Sequence, residues 1–176
     1  MFFTEYTGCM ATIKLIEPAE SEYLADLERK SHRENHFFRM MAHKPEVLKN
    51  FVPLYGSVMG PGSVDRRTKE LVYLAVSFAN ECAYCTAAHL ATGKKAGITE
   101  EEIRALQTEQ NQFFTEPERS AILYARELTR EVAANETGEK LFEHYNDEQV
   151  VEITLIIAMA NFTNRFNNGL GLEPEE

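Results

Sequence analysis

The sequence predicts an all-α fold, on three observations. Apolar residues recur at helical spacing through nearly the whole chain, helix-opening and helix-closing residues punctuate it regularly, and only residues 12–17 read as extended. Pro18 opens the first predicted helix, which runs to about Ser31. Segments 32–42 and 45–58 follow with mixed amphipathic spacing, and Gly60-Pro61-Gly62 breaks the chain. Asp65 caps a helix reaching Ala79. Its Leu71, Val72, Leu74, Ala75, Val76 and Phe78 cover most of its girth, the mark of a central, buried helix. The next helix carries Cys82, Cys85 and His89 and ends near Gly97. Thr99-Glu100-Glu101-Glu102 reads as a capping box. Pro117 opens a helix to about Ala134, and 137–145 form a short one. Asp147 caps the last long helix, which reaches about Asn167 before Gly169 and Gly171. The expected organisation is a single all-helical domain over residues 1–176, with 1–17 an irregular N-terminal arm and no internal linker.

A repeat is visible within this pattern. Residues 65–80 and 147–161 share a cap, a glutamate five residues on (Glu70, Glu152), an apolar run and a closing asparagine. The second copy carries Asn161-Phe162-Thr163-Asn164-Arg165 where the first carries its cysteines, so no redox chemistry is expected of it.

Composition narrows the function classes. A chain of 176 residues with 44% hydrophobic content can bury a core without staples. Its net charge of −10 disfavours nucleic acid and anionic membrane surfaces as partners. The longest strongly apolar run, 153–162, is too short to span a bilayer. The N-terminus lacks the basic and apolar regions of a signal peptide, and the lipoprotein-like Tyr6-Thr7-Gly8-Cys9 stands without one. A cytoplasmic location is expected. Three cysteines are too few for a disulfide framework, and in a reducing cytosol a CxxC points to catalysis or metal binding.

Cys82, Cys85 and His89 fall at i, i+3 and i+7, on one helix face. Asn80-Glu81 is a plausible break that places both cysteines in the first turns of a new helix, where free amides lower a thiol pKa. By this local argument Cys82, nearer the helix start, is the more acidic thiol. Helical Cβ atoms three residues apart lie roughly 5–6 Å apart, whereas a disulfide wants about 3.5–4.5 Å, so a small adjustment at a helix start would close the bond. Two other readings stay open at this point. One is a zinc site of Cys82, Cys85 and His89 with Cys9 as fourth ligand. The other is a structural pair of small buried residues beside a hydrogen-bonded histidine. Glu70 lies twelve residues before Cys82, roughly 18 Å away along one continuous helix. It reaches the thiols only if the chain turns near Asn80-Glu81; otherwise it is a first-turn carboxylate opposing the helix dipole. His32 and His36, at i, i+4, form either a metal pair or a solvated face.

The run Arg67-Thr68-Lys69-Glu70-Leu71-Val72, then Asn80-Glu81-Cys82-Ala83-Tyr84-Cys85-Thr86-Ala87-Ala88-His89, then Lys95-Ala96-Gly97-Ile98-Thr99 resembles the carboxymuconolactone decarboxylase superfamily. Within it, the chain is most similar to the alkylhydroperoxidase-D-like, peroxidase-related branch, with residues 65–105 as the family core. The resemblance implies an alkylhydroperoxidase-D-like helical bundle assembled as a trimer or hexamer. It implies a thiol-dependent hydroperoxide reductase with an antioxidant role and no cofactor or metal. By position, Cys85 attacks the peroxide, Cys82 resolves the sulfenic acid into a disulfide, and His89 and Glu70 relay protons. A dithiol donor, lipoyl or thioredoxin-like, reduces the pair. The branch named for lactone decarboxylation lacks the CxxC. The best-known peroxidase pattern has a histidine where this chain has Tyr84, which bears on peroxidase turnover. The competing functions are a protein disulfide reductase and a redox-sensing oligomer.

Overall fold

Ser21, Asn35, Asp65, Thr99, Thr115 and Asn146 turn the chain into helices by one device. In each, a side-chain oxygen accepts the amide of the residue three positions on, which the first turn leaves unpaired. The computed structural model describes residues 13–134 and 136–175, and these contain nine α-helices and no strand. They are α1 (Glu22–Ser31), α2 (His36–Met41), α3 (Pro45–Met59), α4 (Arg66–Ala79), α5 (Ala83–Lys95), α6 (Glu100–Gln107), α7 (Glu116–Glu131), α8 (Glu136–Phe142) and α9 (Asp147–Leu170). The all-α expectation is met. None of these helices is long and apolar enough to cross a membrane.

Boundaries moved where cap chemistry outweighed proline. Pro18 opens only a 3₁₀ turn, and Ser21 starts α1. Thr115, in a capping box with Glu118, starts α7 and leaves Pro117 in its first turn. Asn146, boxed with Gln149, replaces Asp147 as the cap of α9. The predicted helix over 32–42 is also corrected. His32 takes a left-handed φ of 54° that ends α1, and α2 begins only at His36. The two histidines therefore do not share a helix face. Of the predicted N-terminal arm, 13–17 have no regular structure, and 1–12, with Cys9, lie outside the described residues.

α4 is the axis of the molecule. All ten residues from Thr68 to Ser77 are buried, and the helix packs against α5, α7 and α9. Gly93 permits the close approach of α5: a Cβ there would meet Ile98 Cδ1 at 3.2 Å and Leu74 Cδ1 at 3.3 Å. An aromatic cluster of Phe37, Phe51, Phe162 and Phe166 joins α2 and α3 to α9, with ring centroids 5.1–6.4 Å apart.

The repeat seen in the sequence packs on itself. Glu152 of α9 pairs with Lys69 of α4 and accepts from the amides of Ser63 and Val64 at 2.8 and 3.0 Å. The Lys69 ammonium, 1% exposed, also donates to the Val58 and Gly60 carbonyls at 3.1 and 2.6 Å. A buried charge so engaged is costly to break. Lys69→Met is expected to lower unfolding stability by about 3 kcal/mol, the cost of leaving Glu152 and two carbonyls without their cation. Urea denaturation checks this; a midpoint unchanged from wild type would contradict it.

Candidate active site

The turn that brings Glu70 to the dithiol lies at Asn80-Glu81. Glu81 adopts a left-handed φ of 51°, which ends α4 and reverses the chain. α9 clamps this turn: Asn80 Nδ2 donates to Asn161 Oδ1 and Asn164 Oδ1, each at 3.0 Å, and Asn168 Nδ2 donates to the Asn80 carbonyl at 2.8 Å. Cys82 then caps α5, its Sγ accepting the Cys85 amide at 3.3 Å. Both thiols are free and buried, 1% and 3% exposed.

The two thiols differ in acidity. Cys85 is brought from an ordinary 9.0 to about 7 by a hydrogen bond from Cys82, against its own burial, with help from Asn167, Asn164 and Thr163. Cys82 is pushed up by that same hydrogen bond, by burial and by the negative charge on Cys85. This overturns the local helix-start argument for Cys82. The free amides of α5 count for less than the Cys82 thiol, which donates to Cys85, and the α9 side chains that add to it. Asn167 Nδ2 donates to Cys85 Sγ at 3.1 Å. The thiolate is the reactive form, so reactivity should rise with pH through the Cys85 value. Alkylation of Cys85 by a small neutral reagent is expected to be half-maximal near pH 7. A midpoint near 9 would contradict the assignment.

Behind Cys85 stands a chain of proton carriers. Glu70, with no exposed surface, accepts from His89 Nδ1 at 2.7 Å and from Thr92 Oγ1 at 2.9 Å through one carboxylate oxygen. Its other oxygen lies 2.5 Å from Arg66 Nη2, an ion-pair contact without hydrogen-bond alignment. Burial pushes the Glu70 carboxyl up, but His89, Arg66 and Thr92 outweigh it and hold it below the usual range. With Nδ1–H given to Glu70, His89 Nε2 accepts from the Tyr55 hydroxyl at 3.2 Å. The Tyr73 ring stacks on the imidazole, centroids 3.5 Å apart at 15°. Burial raises Tyr55, so it stays a neutral phenol. Glu70 is thus no first-turn helix carboxylate. Nor is either nitrogen of His89 free for a metal, and no cluster of three or more His, Cys, Asp or Glu among the described residues could hold one.

Cys85, His89 and Tyr55 line a cavity of about 260 Å³ whose walls are largely aromatic, among them Phe37, Phe38 and Tyr73. Tyr84, between the cysteines, is also in the wall. Its hydroxyl donates to Glu175 at 2.7 Å and accepts the Phe37 amide at 3.2 Å, which ties the C-terminal segment and α2 to the dithiol turn. His32 and His36 do not line this cavity, although Arg33 and Asn35 between them do. His36 instead faces Glu34, Nε2 3.2 Å from its carboxylate.

The structure pairs Glu70 with His89, sets Cys82 beside Cys85, and lines one cavity with Cys85 and His89. It adds Tyr55, Tyr73 and Thr92, from the segment expected to carry no redox chemistry Thr163 and Asn164, and just beyond that segment Asn167. One signal for the last three stood in the sequence: polar residues spaced by one, three and four positions just after the apolar run 153–160. Nothing comparable marked Tyr55.

Residues 45–127 match the Carboxymuconolactone decarboxylase family. The chain is similar to the uncharacterized protein YdfG of Bacillus subtilis (strain 168), 34% identical over 113 residues that make up 62% of this chain and 77% of that one. Among solved structures it resembles the alkylhydroperoxidase AhpD core of an uncharacterized peroxidase-related protein from Ralstonia eutropha JMP134, at 22% identity and a TM-score of 0.79, covering 95% of this chain and 92% of that one. It also resembles the debrominase Bmp8, at 20% identity and a TM-score of 0.82, covering 94% and 93%. A substituted form of that debrominase has been solved with 2,3,4-tribromopyrrole bound. Identities this low speak for the shared fold.

Proposed function

Since the chain belongs to the carboxymuconolactone decarboxylase family, in its AhpD-like superfamily, we propose that it reduces hydroperoxides through a Cys82–Cys85 dithiol cycle in an antioxidant role. The observation that carries this reading is the pairing of a lowered Cys85 thiol with a Glu70–His89–Tyr55 relay at one small cavity.

The Cys85 thiolate attacks the terminal oxygen of R–O–O–H: an S–O bond forms, the O–O bond breaks, and the alkoxide leaves with both electrons. It takes the Tyr55 hydroxyl proton, and His89 reprotonates Tyr55 with the proton it received from the Cys85 thiol when the thiolate formed, Glu70 meanwhile holding the ring and its positive charge. The Cys82 thiol then attacks the Cys85 sulfenic acid. An S–S bond forms, the S–O bond breaks, and the hydroxide departs with the Cys82 proton as water. A dithiol donor returns two electrons and two protons.

Burial supports a small oxidant and a slender donor. A protein disulfide cannot touch sulfurs 1% and 3% exposed, which weighs against the protein disulfide reductase reading. A lipoyl-type arm suits the cavity better than a thioredoxin-like surface. Assembly of several copies, a trimer or hexamer, is supported by the exposed Leu54, Val151, Leu155 and Phe162 on α3 and α9. The acidic charge of −10 supports neither nucleic acid nor an anionic membrane as partner, and a cytoplasmic site fits two free thiols.

Consumption of dihydrolipoamide in the presence of an organic hydroperoxide tests the reading; no hydroperoxide-dependent oxidation would sink it. The aromatic side chains of the cavity wall favour one second reading, removal of bromine from an aromatic ring at the expense of the same dithiol; Bmp8, of similar fold, is named a debrominase. Release of bromide from a bromopyrrole with dithiol consumption, and none with hydroperoxide, would select it.

A further inference from the structure

We propose that Asn167 holds the Cys85 sulfur at two points of the cycle: its amide N–H fixes the thiolate before attack, and its carbonyl oxygen takes the hydroxyl of the sulfenic acid afterwards. The proposal rests on the hydroperoxide-reductase reading above.

Asn167 lies in the last turns of α9, 2% exposed, and lines the cavity with Cys85 and His89. Its Nδ2 donates to Cys85 Sγ at 3.1 Å. Its Oδ1 is buried and has no hydrogen-bond partner among the described residues. Native structures seldom leave a buried amide oxygen unpaired without a use for it. The neighbouring polar groups are already committed. The Thr163 hydroxyl engages Tyr73 at 2.5 Å and the Met159 and Ala160 carbonyls, and Asn164 Nδ2 donates to Ser77 at 3.3 Å. The reacting group at Cys85 can supply the partner that Oδ1 lacks.

The chemistry of the intermediate fits that demand. Before attack, the sulfur only accepts, and Nδ2–H serves it. After the S–O bond forms, the sulfur carries an O–H, the proton being the one the terminal hydroperoxide oxygen brought. A sulfenic acid then presents an acceptor sulfur and a donor hydroxyl side by side. A primary amide presents N–H and C=O side by side, so the two pair head to tail. Held this way, the S–O bond keeps one direction while Cys82 approaches, and the hydroxyl is withheld from a second hydroperoxide that would drive it to sulfinic acid. When the S–S bond forms and water leaves, Oδ1 is released. Asn167 is thus a positioning residue acting through Cys85.

The test is made in the Cys82→Ser background, where the cycle stops at the sulfenic acid. Intact protein treated with cumene hydroperoxide is followed by mass spectrometry, counting added oxygen atoms on the Cys85 peptide over time. The parent is expected to gain one oxygen and hold it. Adding Asn167→Leu, which removes both contacts at similar size, should slow the first oxygen about tenfold and let a second follow sooner. Adding Asn167→Asp, which keeps an acceptor but loses the donor, should slow the first oxygen while preserving the one-oxygen state. A folded Asn167→Leu variant that gains and holds one oxygen as the parent does overturns the proposal. Should that variant not fold, first-oxygen addition in Asn167→Asp at the parent rate overturns it instead. A parent that gains no oxygen at all overturns the hydroperoxide reading itself, and this proposal with it.

Discussion

Cys85→Ser is expected to abolish hydroperoxide-dependent oxidation of dihydrolipoamide, a loss of about a thousandfold or more, because the nucleophile itself is removed. The structure makes this variant a clean one. Serine fits the space, keeps a hydrogen-bonding atom beside Asn167, and leaves the Cys85 amide free to cap on Cys82. Cys82→Ser should behave differently. It should lose multiple turnovers but still consume about one equivalent of hydroperoxide per chain, since attack needs only Cys85 and its relay. The asymmetry is the point of the experiment. It follows from a Cys85 thiol near 7 beside a Cys82 thiol pushed above its ordinary value. Full activity in Cys85→Ser, or equal and complete loss of the single turnover in Cys82→Ser, would contradict the assigned roles. Stability is the control, read by thermal unfolding of both variants, and neither should shift it by more than about 1 kcal/mol.

Glu70→Gln is expected to lower turnover about a hundredfold while the fold survives. The carboxylate fixes the His89 tautomer that leaves Nε2 facing Tyr55. A glutamine amide offers His89 and Thr92 one acceptor oxygen, so both contacts can persist, but it carries no charge to stabilise an imidazolium. The freed Arg66 is about half exposed, so its charge is met by water rather than stranded. The stability cost should therefore stay near about 1–2 kcal/mol. Steady-state turnover and urea unfolding, measured together, separate the two roles. Normal turnover with a large stability loss would make Glu70 a structural carboxylate and remove it from the relay.

Much of this site could be read before any coordinates. The apolar girth of α4 announced a central helix, and Asn80-Glu81 announced the turn that folds α5 back onto it. Once that turn is granted, Glu70 and His89 must lie on facing helices, and they do. What resisted reading arose from packing between distant segments. Tyr55 stands 34 residues before His89, on α3, and meets it only in the folded molecule. Asn167 is 82 residues from Cys85, on a helix expected to carry no redox chemistry. The acidity of the two thiols was misjudged for the same reason. A helix-start argument weighs only the free amides of α5, while the Cys85 thiol is lowered first by the Cys82 thiol beside it and then by Asn167, Asn164 and Thr163 of α9. His32 and His36 failed because one left-handed residue separated the helices that spacing alone had joined.

The central claim is that Cys82 and Cys85 form the working redox pair. The most direct measurement is the mass of the peptide holding both, before and after one equivalent of an organic hydroperoxide, on wild type and on Cys9→Ser. The account predicts rapid loss of two hydrogens confined to that peptide in both proteins, restored by a dithiol. Thiols that remain fully alkylatable after hydroperoxide treatment, in protein shown to be folded, would contradict it.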